Sequence, residues 1–227
     1  MISVLCATRK RKEALKKSLN SLVATAGNPA DIELLLAFDN DDVDTAVATL
    51  RDFPNAKVLI TPRYGYRELQ KYYNYLSAIA DGEWLFLWND DAIMETHGWE
   101  KLVDKYNGKM VALRCMFKNG NNPEINNRDV LFPIIPRKFY ELTGHFSDNR
   151  HNDTYLSWIF NTLERCFLLD IVVRHERADF MDYKVNNDST FAEREYITQL
   201  RICRPFRRGV NRDLDILKKY IEQNPGV

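Results

Sequence analysis

Five consecutive apolar residues at 84–88 run directly into Asn89, Asp90 and Asp91, and this junction constrains the fold more than any other stretch. An apolar, aromatic-rich run of this length predicts a strand buried on both faces. In an open α/β sheet, ligands bind in the crevice beyond the carboxyl ends of such strands. Two adjacent carboxylates there need a cation or hydrogen bonds to offset their repulsion, and hard oxygen ligands favour Mg²⁺ or Mn²⁺, which would hold a diphosphate. The alternative is a turn that caps a helix predicted over 96–106.

The amino-terminal residues predict a strand, a turn and a helix. Residues 2–7 are apolar except Ser3, and the apolar residues that follow Thr8 and Arg9 recur at helical spacing. Thr8 and Arg9 therefore stand at the carboxyl end of a strand and ahead of a helix, where a nucleotide or a phosphate can bind. The alternative is that residues 9–11 form only a solvated first helical turn, although cations oppose the helix dipole at that end.

A second apolar run, residues 32–38, ends at Asp39. A carboxylate only accepts hydrogen bonds, so Asp39 could bind the imide N–H of a uracil or a ribose hydroxyl. Asp41 and Asp42 are explained by the cap and first turn of a helix around 43–52. Asp39 is therefore the candidate for contact with a nucleoside.

The remaining apolar patterns continue the alternation of strands and helices. Further strands are predicted at 56–60, 110–115, 130–135 and 166–173, the second and third as an antiparallel ribbon and the last as a buried strand. Further helices are predicted at 69–79, 136–143, 154–163 and 190–200, with a final helix capped by Asn211. This order indicates an α/β fold with a mostly parallel central sheet flanked by helices.

Two further polar features stand at the ends of predicted elements. The strand at 166–173 leads to His175, an imidazole that could bind a metal or could simply be a satisfied histidine of the fold. Residues 145–153, just before the helix at 154–163, carry more ionisable and amide groups than a helix cap requires.

The composition limits which binding partners and which cellular compartment we expect for this protein. The 227 residues suffice for one α/β domain with a sizeable core. The formal net charge is +0, so the protein as a whole is not attracted electrostatically to nucleic acid or anionic lipid. The four cysteines are isolated in sequence, which indicates reduced thiols and a cytoplasmic protein. No apolar run reaches the length of a membrane span, and the amino terminus has no signal-peptide pattern.

Over about residues 1–177, the order of elements resembles the GT-A fold of nucleotide-sugar glycosyltransferases, in particular the large inverting family 2. The likeness depends on the first strand with Thr8 and Arg9, the strand ending at Asp39, the stretch 64–84, and Asn89-Asp90-Asp91. The stretch 64–84 is the most specific. Its Tyr64-Gly65-Tyr66, Asn74, Ala78 and Ala80-Asp81-Gly82-Glu83-Trp84 are similar to the family's approach to its metal motif.

The resemblance implies a role for each matched position. Asp91, within the D-x-D position of the family, and His175, at the family's late histidine, are the implied ligands of Mn²⁺ or Mg²⁺. Asp153 stands in the pair at a helix start that supplies the general base, with Asp148 as its rival. The implied nucleotide-sugar contacts are Thr8, Arg9, Asp39, Tyr66, Asn89 and Asp90.

Three positions depart from the family pattern. Asn89, or Trp88 in another alignment, replaces the first aspartate of D-x-D, so Asp91 is the acid common to both alignments. The segment 7–10 replaces the usual Pro-x-Tyr-Asn, and Asn152 replaces the glutamate that precedes the base.

The expected activity is transfer of a hexosyl group from a nucleoside diphosphate donor, preferably of the UDP type, with inversion. The acceptor would be a hydroxyl of a glycan, a lipid-linked molecule or a protein. One alternative is a nucleotidyltransferase, which would need a glycine-rich phosphate loop that residues 7–11 lack. The other is a non-catalytic nucleotide-sugar or glycan-binding module.

The expected organisation is a catalytic domain over 1–177, followed at 178–227 by a flexible loop and a helical carboxyl-terminal extension packed on the same domain. Residues 201–212 contain five arginines and no acid. This cluster could contact an anionic membrane that carries a lipid-linked acceptor, or it could be a solvated basic face that helps cover the donor.

Overall fold

The computed structural model describes residues 1–120, 122, 124–126, 131–176 and 204–227. Its helices are α1 (Lys12–Thr25), α2 (Val43–Asp52), α3 (Leu69–Ala78), α4 (Arg137–Thr143), α5 (Asn152–Thr162) and α6 (Arg204–Gln223). Its strands are β1 (Ile2–Thr8), β2 (Ile32–Asp39), β3 (Lys57–Thr61), β4 (Trp84–Asn89), β5 (Ala92–Met94), β6 (Ala112–Asn119), β7 (Ile125–Asn126), β8 (Ile134–Pro136) and β9 (Cys166–His175).

The described strands form one mixed sheet in the order β3-β2-β1-β4-β8-β6-β9-β5, with β7 paired to β6. The pairs β3 with β2, β2 with β1, and β1 with β4 are parallel, as the alternation of strands and helices predicts. The strand β8 is antiparallel to β4 and to β6, which confirms an antiparallel pairing between the two predicted ribbon strands. The fold is therefore α/β with a mixed sheet.

Side chains of β4 divide between two hydrophobic cores, one on each face of the sheet. Trp84, Phe86 and Trp88 lie in the core that α1 covers, whereas Leu85 and Leu87 lie in the core that α3 and α5 cover. Successive side chains of a strand point to opposite faces, so an apolar run without alternation requires cover on both sides. Each fully buried side chain of this size contributes roughly 1.5–3 kcal/mol to stability.

Gly82 allows β4 to begin directly beside β1. A Cβ atom at this position would lie 2.5 Å from Ser3 Oγ and 2.7 Å from Ser3 N, closer than real Cβ contacts. The Gly82 N–H donates to Ser3 Oγ at 2.9 Å. Any side chain at position 82 would therefore push the start of β4 away from its neighbouring strand.

The strand register places the predicted site residues at one edge of the sheet. In the parallel ladder, Ala7 of β1 is opposite Asn89 of β4, and Thr8 is opposite Phe38, the residue before Asp39. In the last two strands of the sheet order, Ala92 of β5 is paired with His175, the last residue of β9. The turn between β4 and β5 therefore brings β9 to the same edge.

The prediction of a helix over 96–106 is wrong. This span forms two short 3₁₀ turns, Trp99–Leu102 and Asp104–Tyr106. Gly98 precedes them in the left-handed region with a φ of 66°, and its N–H donates to the last carbonyl of α1 at 2.7 Å. This anchor fixes the chain against α1 before a regular helix can begin. The alternative that residues 89–91 cap a helix here is therefore also wrong, because β5 follows the turn.

Two other expectations need correction. Asn211 does not cap the final helix but lies within α6, which has Pro205 in its first turn, where a missing N–H costs little. The strand β9 is not buried on both faces, because Phe167 and Leu168 are 41% and 37% exposed. The helix predicted at 190–200, Arg201, Cys203 and the boundary between 177 and 178 lie outside the described residues.

The helix α6 packs against α4 and α5, and it buries Phe206, Val210, Leu214 and Leu217 in the same core as α5. Its arginines at 204, 207, 208 and 212 are exposed. Among the helices in the described part of the chain, none has the length and apolar character needed to cross a bilayer. Cys6, Cys115 and Cys166 are free thiols.

Candidate functional site

The carboxylates of Asp90 and Asp91 lie in the turn that follows β4. Asp90 is 6% exposed, and its Oδ2 accepts a hydrogen bond from Thr8 Oγ1 at 2.6 Å. Burial raises the pKa of Asp90 to about 6, despite the nearby cation of Arg11. Thr8 therefore contacts one of the predicted acids across the ladder between β1 and β4.

Arg11, at the start of α1, bridges the two carboxylates. Its Nη1 is 2.7 Å from Asp90 Oδ1, and its Nη2 is 3.2 Å from Asp91 Oδ2. Burial opposes the charge of Arg11, but the two neighbouring carboxylates raise the pKa of its guanidinium above its usual value. This residue is absent from the set of sites predicted from the sequence. The unfavourable placement of cations at a helix start was the signal that pointed to an anion nearby.

His175 lies beside Asp91, as the register of β5 and β9 requires. Its Nε2 is 3.0 Å from Asp91 Oδ1 and 3.5 Å from Asn89 Nδ2, and its ring packs edge-on against Phe132. Burial acts against the charged form of Asp91, but the bonds from His175 and Arg11 hold the pKa of Asp91 below its usual range. The predicted pair Asp91 and His175 is thus brought together from positions far apart in sequence.

Asp39 is 3% exposed at the end of β2 and accepts a hydrogen bond from the hydroxyl of Tyr72. The same hydroxyl accepts from the backbone N–H groups of Tyr64 and Gly65, at 2.8 and 3.0 Å. Burial raises the pKa of Asp39 above its usual value, despite the bond from Tyr72. Tyr72 therefore ties the loop after β3 to Asp39, a role that its place on an amphipathic helix did not predict.

Arg9 lies beside Asp39 but makes its closer contact elsewhere. Arg9 Nε is 3.6 Å from Asp39 Oδ2 and 3.0 Å from Asp41 Oδ1. The backbone N–H of Lys10 donates to Asp42, whose other oxygen accepts from Thr45 Oγ1. The acids after β2 therefore fix the loop after β1.

Asp153 lies in the first turn of α5, and its electrostatic field reaches the same buried tyrosine as that of Asp90. The pKa of Tyr73 is raised first by burial, and further by the neighbouring Cys6, Asp90, Tyr66 and Asp153. Asp153 Oδ1 accepts from the backbone N–H of Thr154 at 2.6 Å. Asp90, Tyr66 and Asp153 therefore each act electrostatically on the buried hydroxyl of Tyr73.

Asn74 anchors the loop that leads to Asp153. Its Oδ1 accepts from the N–H groups of Phe146 and Ser147, at 2.8 and 3.1 Å, and its Nδ2 donates to Ser147 O at 3.0 Å. The rival base Asp148 follows this anchor and lies 3.2 Å from Arg212 of α6, with about half of its side chain exposed.

The donor atoms at the edge of the sheet suit a divalent cation that completes its coordination with a ligand. The distance between Asp91 Oδ1 and His175 Nε2 is 3.0 Å. Two neighbouring ligand atoms of an octahedral ion with bonds of about 2.1 Å lie about this far apart. Carboxylate oxygen and imidazole nitrogen both bind Mn²⁺. Within the described residues, no group of three or more His, Cys, Asp or Glu side chains could hold an ion. The distance between Asp91 and His175 alone is compatible with two ligands of one divalent ion.

Comparisons with known proteins identify the family and the fold of this chain. The family model described as "Glycosyl transferase family 2" matches residues 3–162, which is more than half of the chain. A search of curated proteins by sequence gives no match.

Solved structures with the same fold include S. aureus TarS 1-349 in complex with UDP, at 16% identity and a TM-score of 0.60, over 80% of this chain and 62% of TarS 1-349. The complex of TarS 1-349 with UDP-GlcNAc matches at 13% identity and a TM-score of 0.60, over 85% of this chain and 63% of that one. This chain therefore spans less than two thirds of TarS 1-349.

The mannosyltransferase PcManGT from Pyrobaculum calidifontis, in complex with GDP-Man and Mn²⁺, matches 95% of this chain and 69% of its own length, at 13% identity and a TM-score of 0.60. At these identities the structural matches establish the fold alone, which is GT-A. Together with the match over residues 3–162, they lead to one assignment: this chain belongs to glycosyl transferase family 2.

Proposed function

We propose that this chain transfers a hexosyl group from a nucleoside diphosphate donor to an acceptor hydroxyl, with inversion at the anomeric carbon. One observation carries the proposal: the ends of β1, β2 and β4 bring Thr8, Asp39 and the Asp90–Asp91 pair to one edge of the sheet, and β9 adds His175. This is the edge at which ligands bind in α/β sheets.

Asp39 is proposed to contact the donor's base or ribose. Its carboxylate only accepts hydrogen bonds, and Tyr72 fixes its orientation. A uracil offers an imide N–H to such an acceptor, so a UDP-type donor is favoured. Thr8, Arg9, Tyr66 and Asn89 are proposed to contact the rest of the donor.

Asp91 and His175 are proposed to hold Mn²⁺ or Mg²⁺. When bound, the cation would stabilise the negative charge of the departing diphosphate. In the ligand-free protein, His175 and Arg11 keep Asp91 ionised, and the burial of Asp90 and His175 makes each charge interaction stronger than in water.

Asp153 is proposed to be the general base. It would take the proton of the acceptor hydroxyl as the oxygen bonds to the anomeric carbon and the bond to the diphosphate breaks. Attack on the face opposite the leaving diphosphate inverts the anomeric configuration. Asp153 lies in the first turn of α5.

Two alternatives give different experimental outcomes. A nucleotidyltransferase would release pyrophosphate from a nucleoside triphosphate, yet the loop after β1 contains no glycine and is instead held by Lys10 with a φ of 55°. A non-catalytic module would bind the donor without turnover.

The acceptor could be a hydroxyl of a glycan, a lipid-linked molecule or a protein. Buried free thiols at Cys6 and Cys115 support a reducing compartment such as the cytoplasm. The exposed arginines of α6 support either a contact with anionic lipid or a basic cover over the donor. Co-sedimentation with vesicles separates these two roles, because only the first depends on acidic lipid.

The test is a thermal-shift panel of UDP, GDP, UDP-glucose, UDP-GlcNAc and GDP-mannose, with and without Mn²⁺, followed by assay of released nucleoside diphosphate. A ligand that binds only the folded state raises Tm. A rise with UDP-type ligands, which Asp39→Ala removes, supports the proposal. If no diphosphate ligand raises Tm, the proposal is wrong, and binding without release in the presence of varied acceptors would favour the binding module.

A further inference from the structure

All four carboxylate oxygens of Asp90 and Asp91 already have a partner within the chain. Thr8 donates to Asp90 Oδ2, and His175 Nε2 lies 3.0 Å from Asp91 Oδ1. The two remaining oxygens, Asp90 Oδ1 and Asp91 Oδ2, both contact the guanidinium of Arg11, at 2.7 and 3.2 Å. Arg11 therefore serves as the cation of this carboxylate pair.

The position of Arg11 allows its side chain to leave the two carboxylates. Its backbone is fixed, since its carbonyl accepts from Leu15 N at 2.9 Å in the first turn of α1. Its side chain, in contrast, is 36% exposed and reaches the carboxylates from the solvent side. Rotation of the side chain alone can therefore release both oxygens without a movement of the helix.

A divalent cation and Arg11 compete for the same carboxylates, because the proposed site uses Asp91 Oδ1 while Arg11 contacts Asp91 Oδ2 and Asp90 Oδ1. The cation prefers carboxylate oxygen ligands, and its positive charge next to a guanidinium is repulsive. A guanidinium released from the pair carries donors that match the geometry of phosphate oxygens. A diphosphate bound at the sheet edge would lie next to it, because Arg11 precedes α1 where helix N–H groups favour anions.

We infer that Arg11 is an exchangeable counter-ion: it bridges Asp90 and Asp91 in the ligand-free protein, and it transfers to the diphosphate when a divalent cation binds. This inference rests on the proposed nucleotide-sugar function and names the residue that couples the metal to the donor. The consequence is that Arg11 weakens binding of the metal alone but strengthens binding of the nucleotide together with the metal.

The experiment is isothermal titration of the full chain, its Arg11→Gln variant and its Lys16→Gln variant. Lys16 is the matched control, since it is an exposed cation on α1 that pairs with Asp52 at 3.0 Å. Each protein is titrated with Mn²⁺ alone, with UDP alone, and with UDP at saturating Mn²⁺. Arg11→Gln should bind Mn²⁺ alone at least about tenfold more tightly than the parent, and UDP at saturating Mn²⁺ about tenfold more weakly, or about 1.4 kcal/mol. Lys16→Gln should match the parent in all three titrations.

Arg11→Gln leaves a buried carboxylate without its cation, so thermal unfolding is measured to detect any loss of the fold in this variant. Mn²⁺ should raise the Tm of Arg11→Gln more than that of the parent, by mass action. If Arg11→Gln binds Mn²⁺ no more tightly than Lys16→Gln, or stays unfolded at high Mn²⁺, the guanidinium is a fixed structural cation and the inference is wrong.

The Mn²⁺ titration separates this inference from the proposed function. If the parent binds neither UDP nor any nucleotide sugar of the panel, the proposed donor is wrong, whereas the Mn²⁺ affinities still decide whether Arg11 competes with the ion. If the parent binds UDP with Mn²⁺ and Arg11→Gln binds both as the parent does, only the role of Arg11 is refuted.

Discussion

Asp213 of α6 joins the carboxyl-terminal helix to α5 and to the loop that leads to the proposed base, and replacing it with asparagine should destabilise the protein. Its carboxylate is 0% exposed. Oδ2 accepts from Tyr155 at 2.5 Å and faces His145 Nε2 at 2.7 Å, while Oδ1 accepts from Arg212 Nε at 3.0 Å. This one side chain therefore connects α6 to α5 and to the loop before α5.

The expected loss follows from these three contacts. Removing one member of a buried ion pair costs about 3–5 kcal/mol, and a hydrogen bond to a charged group contributes about 1.5–3 kcal/mol. Asparagine keeps one acceptor oxygen, which can still serve Tyr155 and His145, and its amide then faces Arg212. Because the side chain of Arg212 is 50% exposed, it can turn to water at little cost. Asp213→Asn should therefore cost about 2–3 kcal/mol, the lower part of the range.

Thermal unfolding of Asp213→Asn measures this cost. For a chain of this size, a change of 1 kcal/mol shifts Tm by about 2–4 °C, so we expect a fall of about 4–12 °C. Asp215→Asn is the matched control, because Asp215 is an exposed aspartate on the same helix and loses the same charge. Hydrogen exchange should quicken in α5 and α6. A Tm within about 1 °C of Asp215→Asn would refute the argument.

The pH dependence gives a second check on Asp213. Burial opposes its ionisation, but His145, Tyr155 and Arg212 lower the pKa of Asp213 below its usual value. The pKa of an aspartate in the unfolded chain is about 3.9. A carboxylate whose pKa is lower than this in the folded protein stabilises the fold above about pH 3.9, and the stabilisation is lost as the pH falls through its pKa in the folded protein. The Tm difference between the parent and Asp213→Asn should therefore persist at pH 5 and shrink below about pH 4. A difference as large at pH 2 as at pH 5 would contradict the role of the carboxylate.

Three further substitutions test the proposed site. Asp153→Asn should keep UDP and Mn²⁺ binding and lose transfer by about 10²-fold or more, whereas Asp148→Asn should transfer at the parent rate; the reverse result in a transfer assay would move the base to Asp148. Asp91→Ala should fold normally but abolish the increase of UDP affinity by Mn²⁺ in titration calorimetry, and an unchanged increase would exclude Asp91 as a ligand. Tyr72→Phe removes the hydrogen bond that orients Asp39, so UDP should bind about tenfold more weakly at unchanged Mn²⁺ affinity, and equal UDP affinity would make Tyr72 a packing residue only.

Local sequence patterns predicted most of the strands and helices correctly. The unbroken apolar run of β4 predicted a strand covered on both faces, because only such a strand requires apolar side chains at every position. The same reasoning was wrong for 96–106, where Gly98 and its bond to α1 prevented a helix. It also missed the amino-terminal half of α6, which forms because Phe206 and Val210 pack on α5.

The amino-acid pattern alone showed which polar residues end each strand, and with them the edge where Thr8, Asp39, Asp90 and Asp91 meet. It did so because parallel strands of one sheet present their carboxyl ends together, whatever their order. The roles that the resemblance gave to Asp153 and His175 remain predictions.

The pairing of these side chains became clear only from the folded chain. Arg11 contacts Asp90 across 79 positions, Tyr72 contacts Asp39 across 33, and His145 faces Asp213 across 68. Such contacts depend on strand order, helix packing and side-chain rotamers, none of which leaves a periodic pattern in the sequence. The two adjacent carboxylates were therefore predictable, and the cations at the start of α1 pointed to an anion nearby, but the contact of Arg11 with both aspartates was not predictable.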